Sequence, residues 1–246
     1  LVLQQLATDI SDFPNNSSIS EQIRVAAVFS RKLIAPIESQ ISFIGMIIEK
    51  DLYPTSIIDS FVLLICPLIV KQSDQFDFYQ FGFQEYLIGF CQSCLNLEED
   101  PDEESISQSL VLASCMIQTK GEDFFPFVTS AIQILLSRPG PSLQKKPILV
   151  FAAIYVFAAA LFIDGEKAQI LFIAEVPDLI CELVAPFCRG ENMAAYREIK
   201  LAFFTLTWFA KYGHQKSFDV AASLFRVLLD MKELDDSLEL EPEFLL

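Results

Sequence analysis

The chain has 246 residues, 52% of them hydrophobic and 23 of them Phe, which supplies enough apolar surface for a continuous core and excludes disorder as the main state. Its 33 acidic and 17 basic residues leave a net charge of −16, and no Lys/Arg stripe with interleaved aromatics offsets it. That balance argues against nucleic acid and for a partner with a basic segment. With only 8 Gly there are too few turn positions for a sandwich or barrel of short strands, so most of the chain is expected to be helix.

The chain opens on Leu1 and is read as part of a longer protein. "LVLQQLATDI", a polar joint and "SISEQIRVAAVFSRKLI" form a first expected helix pair. The second helix carries Arg24, Ala26, Ala27, Arg31 and Lys32. Further on, "FDFYQFGF" places Phe76, Phe78, Tyr79, Phe81 and Phe83 around a turn, too many for one helix face, and packing between neighbouring helices is their expected fate. "CQSC" at 91–94 has the C-x-x-C form, but no second pair and no nearby His complete a zinc site, and no βαβ pattern supports a redox motif. The six cysteines lack the spacing of a disulfide framework and are read as reduced, buried thiols of a cytoplasmic or nuclear protein. No cofactor is expected.

The run "EEDPDEE" follows, with Glu98, Glu99, Asp100, Asp102, Glu103 and Glu104 interrupted by Pro101. It is expected to be a loop near 97–105, projecting between a helix that ends near 96 and one that starts near 105. Either it is a solvated linker or it clamps a Lys/Arg-rich segment. A second acidic run loads the C-terminal end, where Asp235 and Asp236 are candidate partner-binding residues.

"EDFFPFVTSAIQILLSRPG", 122–140, has Phe124, Val128, Ala131, Ile132 and Leu135 on one helical face and ends in Arg138, Pro139 and Gly140. Glu122 and Asp123 complement the dipole at its start. A helix over 144–163 comes next. Its stretch 147–163 contains no charge, and as a helix it is shorter than the hydrocarbon core of a bilayer, so a buried central helix is expected and a membrane span is the alternative. "VPDLICELVAPFC", 176–188, is apolar on one side with Pro177 in its first turn. The helix 194–213 is apolar on two sides, with Tyr196, Ile199, Phe203, Leu206 and Ala210 on one and Leu201, Phe204 and Trp208 on the other, and Gly213 closes it. His214, the lone histidine, lies in the joint "YGHQKS" and is expected to be solvated, which leaves nucleophilic catalysis without a base. The chain is not expected to be an enzyme.

Helix starts near 76, 122, 177 and 215 recur at intervals that bracket the two-helix period of HEAT and armadillo arrays. The expected fold is therefore all-α, a right-handed α-solenoid of HEAT/armadillo-like antiparallel pairs, with residues 1–246 forming one repeat domain. With Arg24, Ala26, Ala27 and the "RKLI" end, residues 23–34 resemble the first repeat of importin-β-type nuclear transport receptors, although the asparagine of that family's end is missing. "FFPFVTSAIQILL" at 124–136 resembles a first HEAT helix. The resemblance implies a carrier that grips basic cargo or a small GTPase with acidic loops. A static HEAT-repeat scaffold is the alternative.

Overall fold

The computed structural model describes residues 83–95, 103–138, 140–172, 175–189 and 194–235, together with Val62, Ile65, Cys66 and Ile69. The described residues are overwhelmingly helical and contain no strand, as the helical periodicity and scarcity of glycine imply. The chain divides into two compact units, Leu1–Cys115 and Met116–Leu246. The first expected helix pair (residues 1–34) and the aromatic run from Phe76 to Phe81 lie outside the described residues.

In the first unit, helix α1 (Phe83–Leu95) buries Leu87, Phe90, Cys91 and Leu95, a single stripe at helical spacing. Helix α2 (Glu103–Lys120) contains the unit boundary, between Cys115 and Met116, and buries Ile106, Leu110 and Ala113 on one line. The Cys91 thiol donates to the Ser109 carbonyl at 3.6 Å and ties the two helices together. Burial, with Cys94 as a second cause, pushes the Cys91 thiol well up from its ordinary range and keeps it protonated.

In the second unit the end of α2 is followed by a 3-10 turn, Gly121–Phe124, which needs the left-handed backbone of Gly121 at φ 77°. Helix α3 (Pro126–Leu136) follows, with Pro126 in the first turn, where a missing N–H costs nothing. The expected helix over 122–140 is thus split: its start is the 3-10 turn, and its end is closed at Ser137 and Arg138, whose side chains both donate to the Ile134 carbonyl. Gly140 does not terminate the segment but opens a separate helical turn, Gly140–Leu143.

Helix α4 (Pro147–Leu171) starts after that turn, three residues later than the expected start at 144. It is apolar all round and accordingly central: Leu149, Phe151, Ala153, Ile154, Phe157 and Ala160 are all buried. It is long and apolar enough to cross a membrane by composition, yet 72% of its most apolar window is buried within the protein. It is also broken. Asp164 has φ −148° and ψ 93°, and its Oδ1 accepts the Lys167 N–H at 3.0 Å, capping the last two turns as a short new helix.

Helix α5 (Glu175–Cys188) contains Pro186, which cannot donate to the Glu182 carbonyl one turn earlier. The Gln144 amide reaches that carbonyl instead, at 3.5 Å. Helix α6 (Tyr196–Lys211) opens with Glu198 accepting the Ala195 N–H at 2.7 Å. It closes as the sequence implies, with Gly213 at φ 92°, its N–H on the Ala210 carbonyl and the His214 N–H on the Phe209 carbonyl. Helix α7 (Gln215–Asp235) is the last described element.

Within this unit α3 packs on α4, α4 on α6, α5 on α6 and α7, and α6 on α7. Edge-to-face rings thread the core: Phe151 meets Phe187 at 5.0 Å, and Phe172 bridges Phe157 and Phe209 at 5.2 and 5.1 Å.

Candidate functional site

Of the candidate carboxylates, Glu103, Glu104 and Asp235 are described, and the first two differ from the expectation of a loop. They form the exposed first turn of α2, because a helix N-terminus with unpaired N–H groups favours negative charge. Glu98, Glu99, Asp100, Asp102 and Asp236 lie outside the described residues, and Asp235 is the last residue of α7.

Among the described residues a polar cluster lies where α5 and α7 begin. The Lys216 ammonium pairs with Asp178 at 3.0 Å and with Glu182 at 3.1 Å. The His214 Nε2 stands 3.7 Å from the same Asp178 carboxylate. On the other side of the ring, Nδ1 is 2.8 Å from the Ser217 hydroxyl and accepts the Ser217 N–H at 3.2 Å. The Ser217 hydroxyl in turn lies 3.5 Å from the Cys181 sulfur. Lys216 holds the Asp178 carboxyl below its ordinary range, and the same hydrogen bond raises the Lys216 ammonium. Burial raises the Cys181 thiol, with the Ser217 hydroxyl pulling weakly the other way.

Ser217, His214 and Asp178 have the composition of a nucleophilic triad, but their geometry serves another purpose. The Ser217 side chain has 0% exposure, so no substrate carbonyl reaches its oxygen. His214 Nδ1 is already engaged by a backbone N–H, and the strong partner of Asp178 is Lys216. The imidazole is the N-cap of α7, accepting from the third helical residue as Asn or Ser does elsewhere. His214 is therefore half-buried and bonded rather than solvated, the reverse of the sequence expectation. The signal was present in the spacing of His214 to Ser217, directly after the helix-closing Gly213.

A second ionic group ties the break in α4 to the turn before α3: the Lys167 ammonium contacts Glu122 at 2.6 Å and Asp164 at 3.7 Å. Glu122 raises the Lys167 ammonium, and the Lys167 N–H holds Asp164 below its ordinary range. The expected dipole role of Glu122 is thus joined by a pairing 45 residues along the chain.

Among the described residues no three of His, Cys, Asp and Glu converge as metal ligands. Cys91 is buried and Cys94 half-buried on α1. The apolar surface is more telling. Phe218, Phe225 and Leu229 of α7 are exposed at helical spacing, which sequence pattern alone does not distinguish from a buried stripe. Comparisons with protein-family models, with curated proteins and with solved structures each gave no match.

Proposed function

We propose that this protein is a non-enzymatic, protein-binding α-solenoid of HEAT-like helix pairs, whose negative charge holds a partner with a basic segment. One observation carries the reading: helices pack on the next-but-one helix as well as on their neighbours. Packing of this kind, α4 on α6 and α5 on α7, with α3/α4 and α6/α7 as the closely packed neighbours, supports successive helices stacking side by side. A solenoid offers long helical surfaces and no enclosed reaction chamber, which fits a clamp better than a catalyst.

The charge supports the choice of partner. A net charge of −16 attracts a Lys/Arg-rich segment over a long range, and Glu103 and Glu104 present carboxylates to solvent at the start of α2. The more specific reading, an importin-β-like nuclear transport receptor for basic cargo or a small GTPase, rests on the resemblance of residues 23–34 and on the acidic run. A static scaffold would use apolar docking instead. The burial of most of α4 supports a soluble core helix over the membrane alternative.

The test is a titration of a Lys/Arg-rich peptide and of a charge-neutral analogue at low and high ionic strength. A carboxylate clamp binds the basic peptide alone and weakens as salt rises, because exposed charges are screened over about 8–10 Å near physiological salt. Equal binding of the two peptides, unaffected by salt, would favour the static scaffold.

A further inference from the structure

We infer that His214 is a proton-operated cap: neutral, its ring holds the first turn of α7, and protonated, it releases that turn and pairs with Asp178 of α5. The inference concerns the joint between α5 and α7 and does not depend on the basic-partner proposal.

The contacts at Nδ1 define the neutral state. Nδ1 accepts the Ser217 N–H at 3.2 Å and lies 2.8 Å from the Ser217 hydroxyl. A ring nitrogen that accepts a backbone N–H carries no proton, so the ring proton sits on Nε2, which faces the Asp178 carboxylate at 3.7 Å. Asn or Ser in the same place would accept at any pH. Histidine is the side chain whose charge ordinarily changes between pH 5 and 8. The ring keeps 26% of its side-chain surface, which leaves it open to protons from solvent.

Protonation exchanges one partner for another. The added proton goes to Nδ1, and both ring nitrogens are then donors. The Ser217 N–H loses its acceptor. Nδ1–H donates instead to the Ser217 hydroxyl oxygen, whose own proton turns to the Cys181 sulfur 3.5 Å away. A positive ring is also unfavourable at a helix N-terminus. On its other side, the ring gains the full attraction of imidazolium for the Asp178 carboxylate.

The neighbours permit this exchange. Lys216 holds Asp178 at 3.0 Å, but it has a second carboxylate in Glu182 at 3.1 Å and keeps a partner when Asp178 turns to the ring. From α5 the titratable groups at the joint are Asp178, Glu182 and Cys181. From α7 they are Lys216 and, one turn on, Asp219, which accepts from Gln215 at 3.4 Å. At the end of α6 the Lys211 ammonium lies over the Trp208 and Tyr212 rings, at 4.3 and 5.4 Å. One contact is lost as another forms, so the effect is local. Acidification loosens the turn that carries Phe218, a ring with 60% exposure.

The experiment uses the full chain labelled with nitrogen-15 and follows two signals from pH 8 to pH 5. The chain has one histidine, so its ring nitrogens give a single titration. The Nε2–H tautomer is expected at pH 8. As the ring titrates, protection of the Ser217 amide against hydrogen exchange should fall about two- to thirtyfold, the worth of one N-cap. Protection is corrected for the intrinsic pH dependence of exchange and referenced to the Leu224 amide of the same helix. His214→Asn keeps an acceptor that does not titrate, and Ser217 protection should then be equal at the two pH values; His214→Ser serves if that variant fails to fold by circular dichroism. Asp178→Asn removes the partner of the imidazolium and should move the fall to lower pH. An Nδ1–H tautomer at pH 8, a ring that stays neutral down to pH 5, or unchanged Ser217 protection while the ring titrates overturns the inference. So does an equal fall in His214→Asn, since another group would then be the sensor. A fall at the parental pH in Asp178→Asn overturns it too, because the ring would not be pairing with that carboxylate.

Discussion

Trp208 packs onto the bare backbone of Gly165: a Cβ at position 165 would lie within 2.7 Å of three carbons of the indole ring. Gly165 is the first residue after the Asp164 break in α4, so the contact fixes α6 against the point where α4 changes direction. Trp208 is also stacked at 5.9 Å on Tyr212 and sits under the Lys211 ammonium at 4.3 Å.

Gly165→Ala should therefore destabilise the protein by about 1–3 kcal/mol, the usual cost of forcing atoms into a packed site. The better helix propensity of Ala offsets part of this. In a double-mutant cycle read by denaturant unfolding, Gly165→Ala should cost less once Trp208 is Ala. Additive costs would mean that the indole does not limit the site.

Asp164 and Asp178 make a pH prediction. Both are held below the ordinary aspartate value of 3.8, the first chiefly by the Lys167 N–H and the second by the Lys216 ammonium. A carboxylate with a depressed folded pKa stabilises the fold above its unfolded pKa and loses that contribution as pH falls through the folded one. Asp164→Asn and Asp178→Asn should each lower the thermal midpoint at pH 6, and their gap to parent should close below pH 3.8. A gap that persists in strong acid would point to packing rather than charge.

The His214 cap is tested by shape rather than charge. His214→Ala removes the acceptor for the Ser217 N–H and should cost about 0.5–2 kcal/mol, while His214→Asn retains a cap and should cost less. Equal losses in the two variants, measured by urea unfolding, would assign the effect to lost packing.

Ala153, at 0% exposure in the middle of α4, gives the sharpest core test. Ala153→Asp should cost several kcal/mol, since an unpaired carboxylate would be buried. A parent-like melting curve would require Ala153 to face water and would contradict the central placement of α4.

The helices of the second unit were legible because their apolar residues recur with a period near 3.6: Val128, Ala131, Ile132 and Leu135 are all buried as that pattern requires. Breaks and caps were less legible. Asp164 looked like the end of an apolar helix, but the chain resumes the helix beyond it, because a side-chain acceptor restarted the ladder. The polarity of His214 suggests a solvated side chain, yet its role comes from its position between Gly213 and Ser217. Tertiary contacts such as Trp208 on Gly165 carry no local signal at all. Of the candidate site, sequence marked the carboxylates but set the helix start two residues late at 105, leaving Glu103 and Glu104 in the loop, and it did not mark the exposed row of α7.

The central claim, that carboxylates of this helical array hold a basic partner, is tested most directly by neutralising Glu98, Glu99, Asp100, Asp102, Glu103 and Glu104 to Gln or Asn and titrating a Lys/Arg-rich peptide at low and high salt. Helicity should be kept, with melting lowered slightly by the loss of the Glu103 and Glu104 charges from the first turn of α2, and the low-salt affinity should fall by about 0.3–1 kcal/mol for each exposed pairing lost. The difference from parent should shrink as salt rises. Equal affinities of parent and neutralised protein at low salt would contradict the clamp and return the acidic run to a solubilising linker.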